Sequence, residues 1–345
     1  MTTTTHDGPD AATRRPARVR LLWLLAVVAL LAFLTIASVA LGSRSVAWSD
    51  VWAALGGADG SMGEAAVTKR IPRTVLAVIV GAALGISGAV MQGVTRNPLA
   101  DPGILGVNMG ASLAIVVGVA FFGLSTATGY VWVAMAGAGV AAVFVYTVGS
   151  LGRGGATPLK LALAGAATSA ALASLVTAVM LPRNDIAGGI RLWQIGGVGG
   201  ASFERIGHLL PFLAAGFALC LLSARALNSL ALGDELAAGL GERVARARAL
   251  AALGAVVLCG TCTAAAGPIG FVGLVVPHMC RLLVGPDHRW LLPFSALTGA
   301  SLLTAADVVG RIVARPAEVD VGIITALIGA PFFLYIVRRQ KVREL

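Results

Sequence analysis

The sequence predicts an all-α membrane protein of about ten transmembrane helices with both termini in the cytoplasm, and three observations carry that expectation. Of its 345 residues, 57% are hydrophobic and only 12% charged, with a mean hydropathy of +0.88. That leaves too few polar side chains to coat a soluble fold of this size. Apolar windows of roughly 20 residues, the length a helix needs to cross a bilayer, begin near Leu21, Thr74, Leu105, Tyr130, Leu161, Leu209, Leu250, Phe271, Leu291 and Gly322. Lysine and arginine then divide unequally, 17 on the side that carries both termini and nine on the other. The positive-inside rule places the richer side in the cytoplasm. The net charge of +10 therefore records topology, and no nucleic-acid partner is needed to explain it.

Residues 1–20 are polar, end in Arg14, Arg15, Arg18 and Arg20, and read as a disordered cytoplasmic tail, since Thr, Asp, Gly and Pro bury too little surface to offset chain entropy. A ten-span membrane domain is expected over 21–339, with a second short tail at 340–345. Leu21 to Leu41 gives 21 apolar-rich residues. Ser38-Val39-Ala40 has the look of a cleavage triplet, but a signal-peptide core runs about 7–15 residues, so a retained first helix is expected.

The second span is the most specialised. Arg70 and Arg73 bracket Pro72 ahead of an apolar run, Thr74 to Val90, threaded by Gly81, Gly85 and Gly88. Small residues at these spacings let a neighbouring helix backbone approach closely in lipid. Asn97-Pro98 and Asp101-Pro102-Gly103 then stop the helix, because proline lacks a donor and disfavours α geometry in the residue before it.

Further along, Ala156-Thr157-Pro158 precedes the fifth span, whose Thr168, Ser169, Ser174 and Thr177 are small and mildly polar. The glycines at 196, 197, 199 and 200 read as a flexible external turn, since no strand or following Lys-Ser pair suggests a phosphate loop. Cys259 and Cys262 have C-x-x-C spacing, but one pair falls short of a four-ligand metal site, and buried thiols commonly behave as small hydrophobes. His278 faces either a pathway or, more commonly for such a residue, partners within the bundle. Asp307 and Arg311 stand four apart, the spacing of a helical ion pair.

Between spans six and seven lies a long cytoplasmic interruption, ARALNSLALGDELAAGLGERVARAR, residues 224–248. Asn228 is placed to cap a short helix through Ala231, and Gly233 to end or bend it. Asp234 and Glu235 suit the start of a second helix, which runs through Leu236 and Ala237 and ends at Gly239-Leu240-Gly241. With Leu232, Leu236 and Leu240 the segment forms a compact knob, or else an ordinary solvated loop.

These blocks together resemble the FecCD-type permeases, the membrane subunits of bacterial ABC importers for iron-siderophores, haem and cobalamin. The resemblance spans residues 70–339 and includes KRIPR through GVNMGA, LKLALAG, LWQIGG, the 224–248 loop, GPIGFVGLVVPHMCRLLVGPDHRWLLP and AADVVGRIVARPAEVDVGIITALIGAPFFLYIVRR. It implies a type II ABC importer permease fold in a bacterial inner membrane, paired with an identical or related permease subunit. It also implies two cytoplasmic ATPase subunits docked on Asn228, Leu232, Gly233, Asp234, Ala237, Gly239, Leu240 and Gly241. Arg70, Arg73 and Arg311 would meet carboxylates of an extracytoplasmic solute-binding protein, a role suited to arginine's planar fork. Thr157 would belong to an inner gate, and Thr168, Ser169, Ser174 and Thr177 to the pathway. The expected cargo is a ferric siderophore, with haem or cobalamin as the alternatives, and no resident cofactor is implied.

The chain has no G-x-x-x-x-G-K-[ST] segment to cradle nucleotide phosphates, so ATP hydrolysis is expected on a separate chain. An ion-coupled secondary transporter is the rival from another class. Such a protein keeps ionisable residues at mid-membrane depth, and Asp307 is the only clear candidate in the sequence.

Overall fold

The computed structural model describes residues 16–151 and 157–340, and among these the regular structure is helical. In chain order the helices are α1 (Ala17–Ala40), α2 (Trp48–Leu55), α3 (Met62–Thr95), α4 (Val107–Phe122), α5 (Ala127–Ser150), α6 (Pro158–Met180) and α7 (Asn184–Ile195). They continue as α8 (Phe203–Leu222), α9 (Ala224–Leu230), α10 (Asp234–Gly239), α11 (Val244–Ala266), α12 (Val272–Val284), α13 (His288–Val313) and α14 (Val321–Gln340). The ten expected spans correspond to α1, α3, α4, α5, α6, α8, α11, α12, α13 and α14.

Seven of these are long and apolar enough to cross a membrane unaided, whereas α4, α12 and the apolar part of α14 are shorter. Helix α12 has 13 residues. At 1.5 Å per residue it reaches only roughly 20 Å, against a hydrocarbon core of about 30 Å. The non-helical residues 267–271 supply the remainder, and they are buried or half-buried against protein. Irregular backbone is tolerated at membrane depth only under such cover.

Helix α3 is the axis of the bundle, packing on α13, α11, α12 and α8. Its glycines do what their spacing predicts. A Cβ on Gly81 or Gly85 would collide with the backbone of Gly299 or Ser295 in α13, and one on Gly88 with the backbone of Gly273 in α12. The outward side of α1 is apolar and exposed, including Leu22, Phe33 and Ile36, as expected of a lipid-facing surface.

Several expected boundaries move. Helix α1 already includes Arg18 and Arg20, so the expected tail over 1–20 is helical from Ala17, and its residues 1–15 lie outside the described residues. At the other end α14 runs to Gln340, and 341–345 likewise lie outside. Helix α3 starts at Met62 rather than near Thr74, with Pro72 inside it. The cause is a capping box at Ser61 and Glu64, whose side chains and backbone N–H groups bond reciprocally. Helices α2 and α7 are additional short elements on the outer side.

Candidate functional site

The cytoplasmic knob consists of α9 and α10. Gly233 at φ 113° breaks the chain between them and Gly241 at φ 87° follows α10, conformations that L side chains avoid. One face is built into the protein: Leu227, Leu230 and Ala237 are fully buried. The opposite face presents Leu232, Leu236 and Leu240, exposed to 58%, 62% and 67%. A Cβ on Gly239 would meet nothing within 4 Å, so this tip is open.

Asn228 departs from its expected role. It lies within α9 rather than capping it, and its side chain reaches across to the start of α13. Its Nδ2 donates to Asp287 Oδ1 at 2.7 Å, and its Oδ1 accepts from the His288 N–H at 2.9 Å and lies 2.8 Å from His288 Nδ1. Burial alone would raise the Asp287 carboxyl, but the bonds from Asn228 and from the Arg289 N–H hold it below its ordinary value. Asp234, at the α10 N-terminus, is in ion-pair contact with Arg96 from the end of α3 and lies 2.8 Å from Arg248 in α11. The knob is thereby fastened to α13, α3 and α11. Neither Asp287 nor Arg96 was singled out from sequence, because both partners are remote along the chain.

The outer end holds a second polar cluster. Arg70 is buried, donating to the carbonyls of Val39 (3.3 Å), Ala40 (2.9 Å) and Arg44 (2.7 Å). It thus supplies donors to the last turn of α1 and the residues beyond, where carbonyls lack helical partners. Arg311 is 1% exposed and donates to the carbonyls of Ser38 (2.9 Å) and Leu41 (3.0 Å) and to Ser38 Oγ (2.6 Å). It also forms the i,i+4 pair with Asp307 at 2.9 Å. Arg73, with 13% side-chain exposure, donates to Asp307 Oδ1 at 2.8 Å and to Glu318 Oε2 at 2.6 Å. The three arginines expected at a docking face are therefore engaged inside the chain, with Arg70 and Arg311 enclosed. Arg44 and Arg315, not singled out from sequence, are exposed on this side.

On α6, Thr157 is the N-cap, its hydroxyl accepting from the Lys160 N–H at 3.4 Å. The neighbouring Ala156 lies outside the described residues. Thr168 and Ser169 are half-buried, while Ser174 and Thr177 are exposed and donate back to the Ala170 and Ala173 carbonyls at 3.0 Å each. Cys259 faces Asn108 Oδ1 at 3.1 Å and Cys262 the Val80 carbonyl at 3.9 Å, so the two thiols point to different neighbours. His278 packs edge-on against Phe332. The glycine-rich turn expected to be flexible is stitched in: the Gly197 N–H donates to Ala266 and the Gly196 carbonyl accepts from Gly322.

A bundle with seven helices long and apolar enough to cross a membrane and three shorter apolar ones defines a multi-pass membrane protein by class. The profile of the FecCD transport family matches residues 30–339, and the chain belongs to that family. It is 44% identical to the ferric enterobactin transport system permease protein FepD of Escherichia coli (strain K12) over 336 residues, covering 97% of this chain and 98% of that protein. It is 38% identical to the hemin transport system permease protein HmuU of Yersinia pestis over 317 residues, covering 90% and 94%. Among solved structures it resembles an ABC transporter of metal-chelate type in an inward-facing conformation, with a TM-score of 0.78 and 29% identity, covering 92% of this chain and 99% of that one. The fold is that of the type II ABC importer permeases.

Proposed function

We propose that this chain is the membrane permease subunit of an ABC importer for ferric siderophores in the bacterial inner membrane, paired with a second permease subunit above two ATPase subunits. The observation that carries the reading is the knob: three exposed leucines on a tip tied back to three spans. Such a tip suits a cleft on a cytoplasmic partner, and the ties suit transmission of its motion. Nucleotide-driven closure of the ATPases would push the knob and with it α13, α3 and α11. The outer ends of α3 and α13 are joined by the arginine cluster, so these two would tilt together and open one side while shutting the other.

A ferric siderophore is the preferred cargo because the 44% identity to a ferric enterobactin permease extends over 97% of this chain, whereas an equal identity to a cobalamin permease covers 81% and a hemin permease matches at 38%. The exposed small residues of α6, Ser174 and Thr177, fit a pathway that passes a bulky chelate without holding it, with Thr168 and Ser169 beside them and Thr157 near the inner gate. Docking of a binding protein falls to Arg73, whose partner Glu318 is itself 37% exposed and open to competition from an incoming carboxylate, with Arg70 and Arg311 bracing the face from behind. The ion-coupled alternative is weakened, since Asp307, the acid singled out for it, is paired with two arginines.

Gly239→Arg tests the reading. The open space around Gly239 lets the variant fold and insert, while a long cation on an apolar tip blocks docking. Loss of ATPase co-purification together with loss of ferric-siderophore uptake is expected. Normal association and normal uptake would sink the coupling assignment, and uptake of haem or cobalamin but no ferric chelate would reassign the cargo.

A further inference from the structure

A cavity of about 520 Å³ lies where the cytoplasmic end of α8 meets the starts of α9 and α13, lined by Leu221, Leu222, Arg225, His288, Arg289 and Pro293. Its walls are of two kinds. Leu221 and Leu222, exposed to 44% and 81%, end the membrane-crossing helix α8, so they face acyl chains. Arg225 and Arg289 are exposed just beyond them, at the depth of the cytoplasmic headgroups.

Among the described residues neither guanidinium has a carboxylate at ion-pair distance. The neighbouring acid, Asp287, accepts from Asn228 and from the backbone N–H of Arg289 and offsets part of the local positive charge. His288 is buried, and Asn228 holds its ring from behind, so the back of the cavity is fixed.

The geometry points to a binding site for one anionic phospholipid of the inner leaflet. Its phosphodiester would lie between the Arg225 and Arg289 guanidinium groups, whose planar forks match phosphate oxygens. Its acyl chain would run along Leu221, Leu222 and Pro293. Basic pockets between membrane helices on the cytoplasmic side recognise such headgroups, whereas a zwitterionic lipid brings a cation of its own against the arginines. Because Arg225 lies in the first turn of α9, the lipid would brace the knob from the membrane side, apart from the exposed leucine tip.

The test uses the full chain, alone and in complex with its ATPase subunits, reconstituted in nanodiscs of equal parts phosphatidylcholine and phosphatidylglycerol. Lipids retained on the protein are then counted by native mass spectrometry. The wild type should retain phosphatidylglycerol in preference to phosphatidylcholine in both forms. That preference should fall about fivefold for Arg225→Gln or Arg289→Gln and roughly thirtyfold for both together. The double lysine variant, which keeps the charges and loses the planar forks, should retain part of it, and that guards against a folding defect in the glutamine variants. Arg191→Gln, on the outer side, should leave it unchanged.

A double glutamine variant that folds and keeps the wild-type preference overturns the site, as does an equal loss in Arg191→Gln. Displacement of phosphatidylglycerol by millimolar inorganic phosphate would reassign the cavity to a free anion. Retention by the isolated chain but not by the complex would assign this face to the ATPase instead.

Discussion

Asp307 shows how one residue sets the meaning of its neighbours. It is 1% exposed and carries a negative charge into the bundle, where Arg73 and Arg311 both meet it. A buried ion pair contributes little net stability against an apolar substitute, but removing one member strands the others. Asp307→Ala should therefore cost about 3–5 kcal/mol, read as a lower melting midpoint in detergent at fixed scan rate. Asp307→Ala combined with Arg311→Met should recover part of the loss, and a single variant that melts with the wild type would refute the clamp. Glu318 gives the pH dependence. Burial would raise its carboxyl, but hydrogen bonds from Arg73 and Ser43 hold it below the ordinary 4.5. A depressed folded value means that this stabilisation is present above the unfolded value and is lost as pH falls through the folded one. Acidification from about pH 6 to about pH 4 and below should accordingly lower the wild-type melting midpoint more than that of Glu318→Gln. Parallel pH profiles for the two proteins would remove Glu318 from the account. The i,i+4 spacing of Asp307 and Arg311 was legible in the sequence, whereas Arg73 lies 234 residues from Asp307 and 245 from Glu318 and meets both only in the fold.

At the scale of the element, α3 combines signals that local sequence carries with one that was misread. Its glycine spacing announced a close approach, and Gly88 indeed lies against the backbone of Gly273. A methyl group there has no flexible side chain to displace, so Gly88→Ala should destabilise by about 1–3 kcal/mol. Gly139→Ala in α5, where a Cβ would meet nothing within 4 Å, should be neutral or gain up to about 1 kcal/mol from helix propensity. Melting midpoints of the two variants check the contrast, and equal effects would mean that packing at Gly88 is not close. The apolar window opens only near Thr74 because Lys69, Arg70 and Arg73 precede it, whereas the Ser61 and Glu64 capping box initiates the helix earlier and Pro72 removes only one backbone donor within it. Helices α2 and α7, at eight and 12 residues, are shorter than any spanning window, so hydropathy over membrane length does not reveal them.

At the scale of the molecule, the proposed function assigns the apolar exposure of α1 to lipid and the exposed Ser174 and Thr177 of α6, which stand among exposed Leu163 and Leu175, to the pathway and partner face. In proteoliposomes of the complex, Ser174→Cys should react with a membrane-impermeant maleimide in either the nucleotide-free or the ATP-bound state, because a hydrated thiol can ionise. Phe33→Cys, placed in the acyl region, should stay unlabelled in both. Labelling of Phe33→Cys but not of Ser174→Cys would reverse the two faces. Composition, apolar windows and glycine spacing were sufficient, by themselves, to indicate a membrane bundle of about ten spans, its close-packed second span and the break at 224–248, while lysine and arginine asymmetry sets the expectation for its orientation. These features depend on local hydrophobicity and charge, which each segment carries alone. Tertiary structure decided that Asn228 is a tie to Asp287 and His288 rather than a cap, that Arg70 and Arg311 are enclosed, and that Asp234 joins two further helices. Each of those outcomes depends on which polar group a desolvated side chain finds across helices, and that choice exists only once the helices have packed.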